Sequence, residues 1–127
     1  MITFKYKRQP RGSWDCGHTC IAMFSGKTRK EIREKFPTDH GLNTKMLVKI
    51  LRSFGYAVPN RLVRYSKKNQ PIFAIAKQPI KGTRNWHWVL IWNGKKYDPA
   101  GKNHIDYDNK LTSFLPRRCC HLNCIAS

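Results

Sequence analysis

The sequence has few acidic residues and no long apolar segment. Seven Asp and Glu residues stand against 25 Lys and Arg residues, which gives a formal net charge of +18. No apolar run approaches the roughly 20 residues that a membrane-spanning helix needs. Positions 1–11 lack the apolar core of a secretory signal peptide. These absences argue against a membrane-spanning or secreted protein, and we expect a cytoplasmic one.

The chain also lacks internal repeats, low-complexity segments and any Gly-, Pro- or Ser-rich linker. Its 127 residues suit one domain. Because 40% of the residues are apolar and 12% are aromatic, the chain can bury a core, which excludes a disordered basic tail. We therefore predict a single domain over residues 1–127, and the sequence does not indicate its oligomeric state.

The positive charge is spread along the whole chain rather than gathered in one tail. A folded domain with this charge attracts a nucleic acid, an anionic membrane surface or an acidic protein, because its summed electrostatic field steers the encounter. The charge alone does not choose among these partners.

The cysteines are odd in number, and three of them crowd the C-terminus: Cys16, Cys20, Cys119, Cys120 and Cys124. Without a secretion signal, this pattern favours free thiols over a disulfide framework. The C-terminal cluster with His121 is a weak zinc candidate, because structural zinc sites usually pair two separated ligand couples and only one cluster exists here. We predict no metal site and no cofactor.

Helices are predicted in the first half of the chain, over residues 16–25, 28–36 and 43 or 44 to 54. Gly26 and Gly55 are typical residues at helix C-termini. Thr28 with Glu31 three positions later is a capping box, which marks the start of the second helix. In the third helix, apolar residues recur at helical spacing on one face.

Strands are predicted in the second half of the chain, over residues 61–65, 72–77, 86–92 and 95–98. Their apolar, β-branched and aromatic residues are separated by turn-rich segments. Helices thus precede an antiparallel sheet. This order predicts an α+β class, with N-terminal helices packed on a C-terminal antiparallel sheet.

The dipeptide Asn93-Gly94 predicts a two-residue hairpin turn and thereby a strand register. Paired positions sum to 187, so Val89 faces Asp98. Because side chains alternate across a sheet, His87 shares the face of Val89 and lies diagonally across from Asp98, within side-chain reach. The strand 86–92 is apolar on both faces, so we expect it in the interior of the sheet, with the first helix packed on the side of His87.

Several residues together have the composition of a thiol nucleophile site. A cysteine, Cys16, opens the first predicted helix, and the His87–Asp98 pair lies on the hairpin. A helix N-terminus and a nearby imidazolium both stabilise a thiolate, which is the reactive form of cysteine. Gln9 is a candidate side-chain donor to an oxyanion, and Gly17 leaves room for the close approach of a substrate backbone.

Three segments in this chain order resemble one enzyme family. They are Gln9–Met23 (QPRGSWDCGHTCIAM), His87–Ile91 (HWVLI) and Asp98–Ala100 (DPA). Together they resemble papain-like cysteine peptidases of the bacteriocin-processing, double-glycine type, and among these the small stand-alone bacterial or phage relatives. The resemblance covers the first 23 residues and positions 86–101, and it implies a papain-like fold.

The resemblance also implies a role for each matched residue. It makes Cys16 the nucleophile, His87 the general base and acid, Asp98 the orienting carboxylate and Gln9 the oxyanion donor. The expected reaction is cleavage of a peptide bond through an acyl-enzyme.

Three other residues near these motifs need an interpretation. Trp14 and Trp86 flank the predicted site in sequence and are candidates for lining a substrate groove, with core packing as the alternative. Cys20 lies one helical turn beyond Cys16, and we interpret it as a core residue.

The sequence leaves three functions open. The leading one is a cysteine peptidase acting on a protein that is acidic or associated with nucleic acid. A deamidase or amide transferase would use the same three catalytic groups and differ only in what leaves and what attacks. The third is a basic protein on the same scaffold that has lost catalysis and binds nucleic acid or an acidic host factor.

Overall fold

The structure is a computed structural model that describes residues 5–10, 15–38, 41–80, 82–101 and 111–116. Within these residues three helices precede five strands. The helices are α1 (Cys16–Ser25), α2 (Arg29–Lys35) and α3 (Thr44–Ser53). The strands are β1 (Val63–Arg64), β2 (Phe73–Pro79), β3 (Trp86–Trp92), β4 (Lys95–Tyr97) and β5 (Ser113–Pro116). The α+β class, with helices before an antiparallel sheet, is confirmed.

The helix boundaries follow the local capping residues. Gly26 ends α1 in the left-handed conformation, at φ 76°. The Thr28 side chain accepts a hydrogen bond from the Glu31 backbone, and the Glu31 side chain accepts one from the Thr28 backbone, so the predicted capping box is present at α2. The Asn43 side chain accepts from the Met46 backbone and begins α3. The predicted limits of all three helices agree with the structure to within about two residues.

The five strands form one antiparallel sheet in the order β1-β5-β2-β3-β4. Asn93 and Gly94 have φ angles of 53° and 78°, as a two-residue primed turn requires. Leu90 pairs with Tyr97, which confirms the predicted hairpin register. Strand β3 lies between β2 and β4, as expected for a strand buried on both faces. The sequence did not predict β5, which inserts between β1 and β2.

Helix α1 packs on the opposite face of β3 from the one that we predicted. Ile21 and Phe24 of α1 share the main core with Trp88 and Leu90 of β3. The prediction that α1 lies on the side of His87 is therefore wrong. The physical reason is the larger apolar surface that Trp88 and Leu90 present, which the almost fully buried α1 covers.

The face of β3 that carries His87 has its own smaller core. It consists of Ala74, Ala76, Val89, Ile91 and Phe114, with Val63, Tyr65 and Leu111 packed against it. The strand residues of this core are neighbours on one face of the sheet, and none of the residues in it belongs to α1. His87 lies at the end of β3 where this core stops, and α1 begins close to the same end of the strand.

Trp88 connects β3 to the segment before α3. Its indole Nε1 donates a hydrogen bond to the Leu42 carbonyl oxygen at 2.8 Å, and its side chain is 1% exposed. A buried indole N–H needs such a partner, so this bond holds Leu42 in place. Among the described residues, no helix is both long and apolar enough to cross a membrane.

Candidate active site

Cys16 is the first residue of α1 and carries a half-buried free thiol. Its Sγ accepts a hydrogen bond from the Trp88 backbone N–H at 3.5 Å. Pairing between β3 and β4 ends at Leu90 and Tyr97, so the Trp88 amide lies beyond the paired part of the hairpin. The sulfur therefore lies beside β3, one residue from His87.

His87 bridges the sulfur and a carboxylate. Its Nε2 lies 2.6 Å from Asp98 Oδ1, and the Cys16 side chain lies close enough to interact with the ring. The Ala100 backbone N–H donates to the same Asp98 oxygen at 2.8 Å and orients the carboxylate. The structure thus brings together Cys16, His87 and Asp98, which are far apart in the sequence.

The environment of His87 favours its charged form. Burial lowers the pKa of the ring, but the hydrogen bonds to Asp98 and Cys16 outweigh this effect and raise the pKa to about 9, from an ordinary value of 6.5. An imidazolium held between a carboxylate and a thiol is suited to stabilise a thiolate and later to donate a proton.

The N-terminal segment 5–10 lies along the chain that carries Asp98. The Gln9 backbone N–H donates to the Pro99 carbonyl oxygen at 2.7 Å, and the Tyr6 hydroxyl donates to the Asp98 carbonyl oxygen at 2.6 Å. The side-chain oxygen of Gln9 is buried. These contacts place Gln9 next to the residue after Asp98, and its role as an oxyanion donor stays a prediction.

Of the two tryptophans that we proposed to line a substrate groove, the structure describes Trp86. Trp86 is half-buried at the start of β3, with its ring 5.9 Å from that of Trp88 and 4.2 Å from the Nζ of Lys77. It therefore lies beside His87 on the face that α1 covers. Trp14 lies outside the described residues.

Gly17 is buried between α1 and the segment before α3. A Cβ at this position would lie 3.0 Å from Leu42 Cδ1 and 3.1 Å from Leu42 Cβ. The missing side chain therefore accommodates Leu42 in the core. A contact between Gly17 and a substrate backbone stays a prediction.

Gly17→Ala is expected to destabilise the fold through this contact, by about 1–3 kcal/mol, because the new methyl overpacks a buried site. A double-mutant cycle with Leu42→Ala, followed by chemical denaturation, measures the coupling. Leu42→Ala removes Cδ1 and Cγ, so Gly17→Ala should cost at least about 0.5 kcal/mol less in that background. Strictly additive losses would contradict the packing explanation.

Sequence reasoning missed two residues close to the site. Asp15 is almost fully buried, and its carboxylate accepts hydrogen bonds from Arg29 and Arg33 of α2. The spacing of those two arginines, one helical turn apart, was the available signal. Gln78 is 2% exposed and lies directly opposite His87 in the pairing of β2 with β3. No short turn motif joins β2 and β3, so this register had no sequence signal.

Within the described part of the chain, no group of three or more His, Cys, Asp or Glu residues is arranged to hold a metal ion. The C-terminal residues Cys119, Cys120, His121 and Cys124 lie outside the described residues. Cys20 is fully buried in the main core, where burial raises the pKa of its thiol well above the ordinary value.

Comparisons with known proteins supply no relative from which a role could be transferred. No family model, curated protein or solved structure matches the chain. The chemistry of the candidate site therefore rests on its geometry: a half-buried thiol at a helix N-terminus lies beside an imidazole, and the imidazole is hydrogen-bonded to a carboxylate.

Proposed function

We propose that the protein is a thiol hydrolase, and specifically a cysteine peptidase with a papain-like fold. The observation that carries the proposal is the position of the His87 ring, which is hydrogen-bonded to the Asp98 carboxylate and lies close to the Cys16 side chain. A nucleophile, a base and a group that orients the base are the parts that nucleophilic acyl transfer requires.

In the proposed reaction, Cys16 attacks as the thiolate while His87 holds the proton. The sulfur adds to the substrate carbonyl carbon, and the carbonyl oxygen becomes an oxyanion that Gln9 is proposed to stabilise. His87 then donates its proton to the leaving amine, which departs and leaves a thioester on Cys16. Water, deprotonated by His87, attacks the thioester and releases the acid. Asp98 keeps the ring oriented in both halves.

The proposed substrate is a protein segment that is acidic or associated with nucleic acid. The net charge of +18 supports this choice. Among the described residues, the ion pairs are those of Asp15 with Arg29 and Arg33, and of Asp98 with His87. Within the part of the chain that the structure describes, most of the lysines and arginines lie outside these pairs and are available to attract an anionic partner, so activity should fall as salt concentration rises.

The proteome of cells that express the wild-type chain, compared with that of cells expressing Cys16→Ala, tests the reaction. A peptidase creates new peptide termini that depend on Cys16. A deamidase instead produces mass increases of about one dalton at Gln or Asn side chains, because an amide NH2 becomes OH. Identical proteomes, together with salt-sensitive binding of the wild-type chain to a polyanion, would favour the basic binding protein without catalysis.

A further inference from the structure

Asp15, the residue before the nucleophile, is tied to helix α2. Its Oδ2 accepts a hydrogen bond from Arg29 Nη1 at 2.9 Å, and its Oδ1 accepts one from Arg33 Nη1. The Asp15 side chain is 8% exposed, whereas the arginine side chains are 36% and 39% exposed. Both oxygens of a nearly buried carboxylate thus face cations from a neighbouring helix.

Because of these contacts, the Asp15 side chain does not cap helix α1. Asp15 is the N-cap residue of α1, where an aspartate usually accepts a hydrogen bond from a backbone N–H of the first helical turn. Here the Asp15 side chain makes no such bond. A capping carboxylate would lie over the start of α1, beside the Cys16 thiol, and like charge there disfavours a thiolate.

The other charged and titratable groups around Cys16 come from the remaining elements packed near it. His87 approaches from β3, Asp98 follows β4, and Cys20 lies one turn along α1. His18, whose Nδ1 is 3.7 Å from the Asp15 carboxylate, is fully buried, and burial lowers its pKa, which favours the neutral ring. Within the described residues, the positive charge facing Asp15 therefore comes from α2.

We propose that Arg29 and Arg33 are positioning residues for the Cys16 nucleophile. They hold the Asp15 carboxylate against α2 and neutralise it, so that the negative charge stays away from the sulfur and the first turn of α1 stays uncapped by it. This inference rests on the proposed function, and it assigns to α2 a part in the reaction that the three catalytic groups alone do not provide.

The test measures the second-order rate of alkylation of Cys16 by iodoacetamide at pH 6.5, by peptide mass spectrometry on the full chain. In Arg29→Gln/Arg33→Gln, the Asp15 charge is no longer compensated, and we expect the rate to fall about 10-fold, as for one uncompensated like charge nearby. Adding Asp15→Asn to this variant should restore the rate to within about twofold of the wild type, because it removes the same charge.

A matched control removes two positive charges elsewhere. Lys30→Gln/Lys45→Gln changes two exposed lysines and leaves the Asp15 contacts intact, so its rate should equal that of the wild type. Thermal unfolding of each variant shows whether it is folded. If the double arginine variant does not fold, Asp15→Asn alone decides, because it removes the charge with both arginines present and should not slow alkylation.

Three results would overturn the proposal. They are an unchanged rate in folded Arg29→Gln/Arg33→Gln, a slow rate that Asp15→Asn does not restore, and slow alkylation in Asp15→Asn alone. Failure of the proposed function looks different, since it shows as a wild-type Cys16 that reacts no faster than free glutathione. The ratios between variants test the role of the arginines whatever the absolute wild-type rate is.

Discussion

Cys16→Ala is expected to abolish turnover and leave the fold intact. The sulfur forms the covalent bond to the substrate, so its loss should lower kcat by at least about 10⁴-fold, as loss of the nucleophile does in enzymes of this type. The fold should survive, because the Cys16 thiol is only half-buried and its contact with the Trp88 N–H is a weak bond to sulfur. Turnover is measured on the substrate that the comparison of proteomes identifies.

Cys20→Ala is the matched control for this substitution. It removes a thiol from the same helix, one turn further on, but from the fully buried core. We expect it to lower the free energy of unfolding by about 1 kcal/mol and to leave kcat nearly unchanged. Normal turnover in Cys16→Ala, or a loss in Cys20→Ala as large as in Cys16→Ala, would show that the mechanism is wrong.

In Cys16→Ala, where no thiolate is present and Asp98 still raises the pKa of His87, the fold is expected to lose about 2 kcal/mol of stability between pH 6.5 and pH 9. The pKa of His87 is about 9 in the folded wild type, against 6.5 as the ordinary value. A raised pKa means that the folded state holds the proton more tightly, so the stabilisation is complete below pH 6.5 and is lost as pH rises through the folded value. Chemical denaturation across this range measures the loss.

Adding His87→Gln to Cys16→Ala isolates this effect. It removes the titrating ring, so the loss of stability between pH 6.5 and pH 9 should shrink to less than about 1 kcal/mol. The stability below pH 6.5 provides an internal control. Burial lowers the pKa of His18, so its contribution is present above pH 6.5 and is lost as pH falls, and the double variant should retain that decline. An equal alkaline loss in Cys16→Ala with and without His87→Gln would assign the effect to other groups.

The parts of the fold with a local chemical cause were predictable from the sequence. Asn93-Gly94 demands positive φ at both positions, and that requirement set the register that places His87 diagonal to Asp98. The Thr28–Glu31 capping box and Gly26 likewise act within a few residues of themselves, so the helix limits could be read directly.

The parts of the fold that depend on distant partners were not predictable. Both faces of β3 are apolar, so nothing in the strand itself says which face meets α1. Strand β5 is four residues long and becomes a strand by inserting between β1 and β2. The spacing of Arg29 and Arg33 puts both on one side of α2, but it does not indicate that their partner is Asp15, because that contact depends on how α1 and α2 pack.

In the candidate site, too, some features have a local cause and others depend on distant residues. Cys16 at a helix start and the His87–Asp98 pair followed from helix and hairpin rules, and the structure places these residues together. Gly17 illustrates what those rules miss, because the neighbour that fills the space beside it is Leu42, a residue 25 positions away in sequence. The position of Gln78 opposite His87 depends on the register between β2 and β3, and no turn motif in the sequence predicts that register.

The most direct test of the central claim is the pH dependence of Cys16 alkylation in the wild type and in His87→Gln. The account predicts that wild-type Cys16 reacts with iodoacetamide at pH 6, where an ordinary thiol with a pKa of about 8.5 is almost fully protonated. In His87→Gln the reaction should require alkaline pH, as it does for glutathione. A wild-type profile that coincides with those of His87→Gln and glutathione would contradict the claim that His87 activates Cys16.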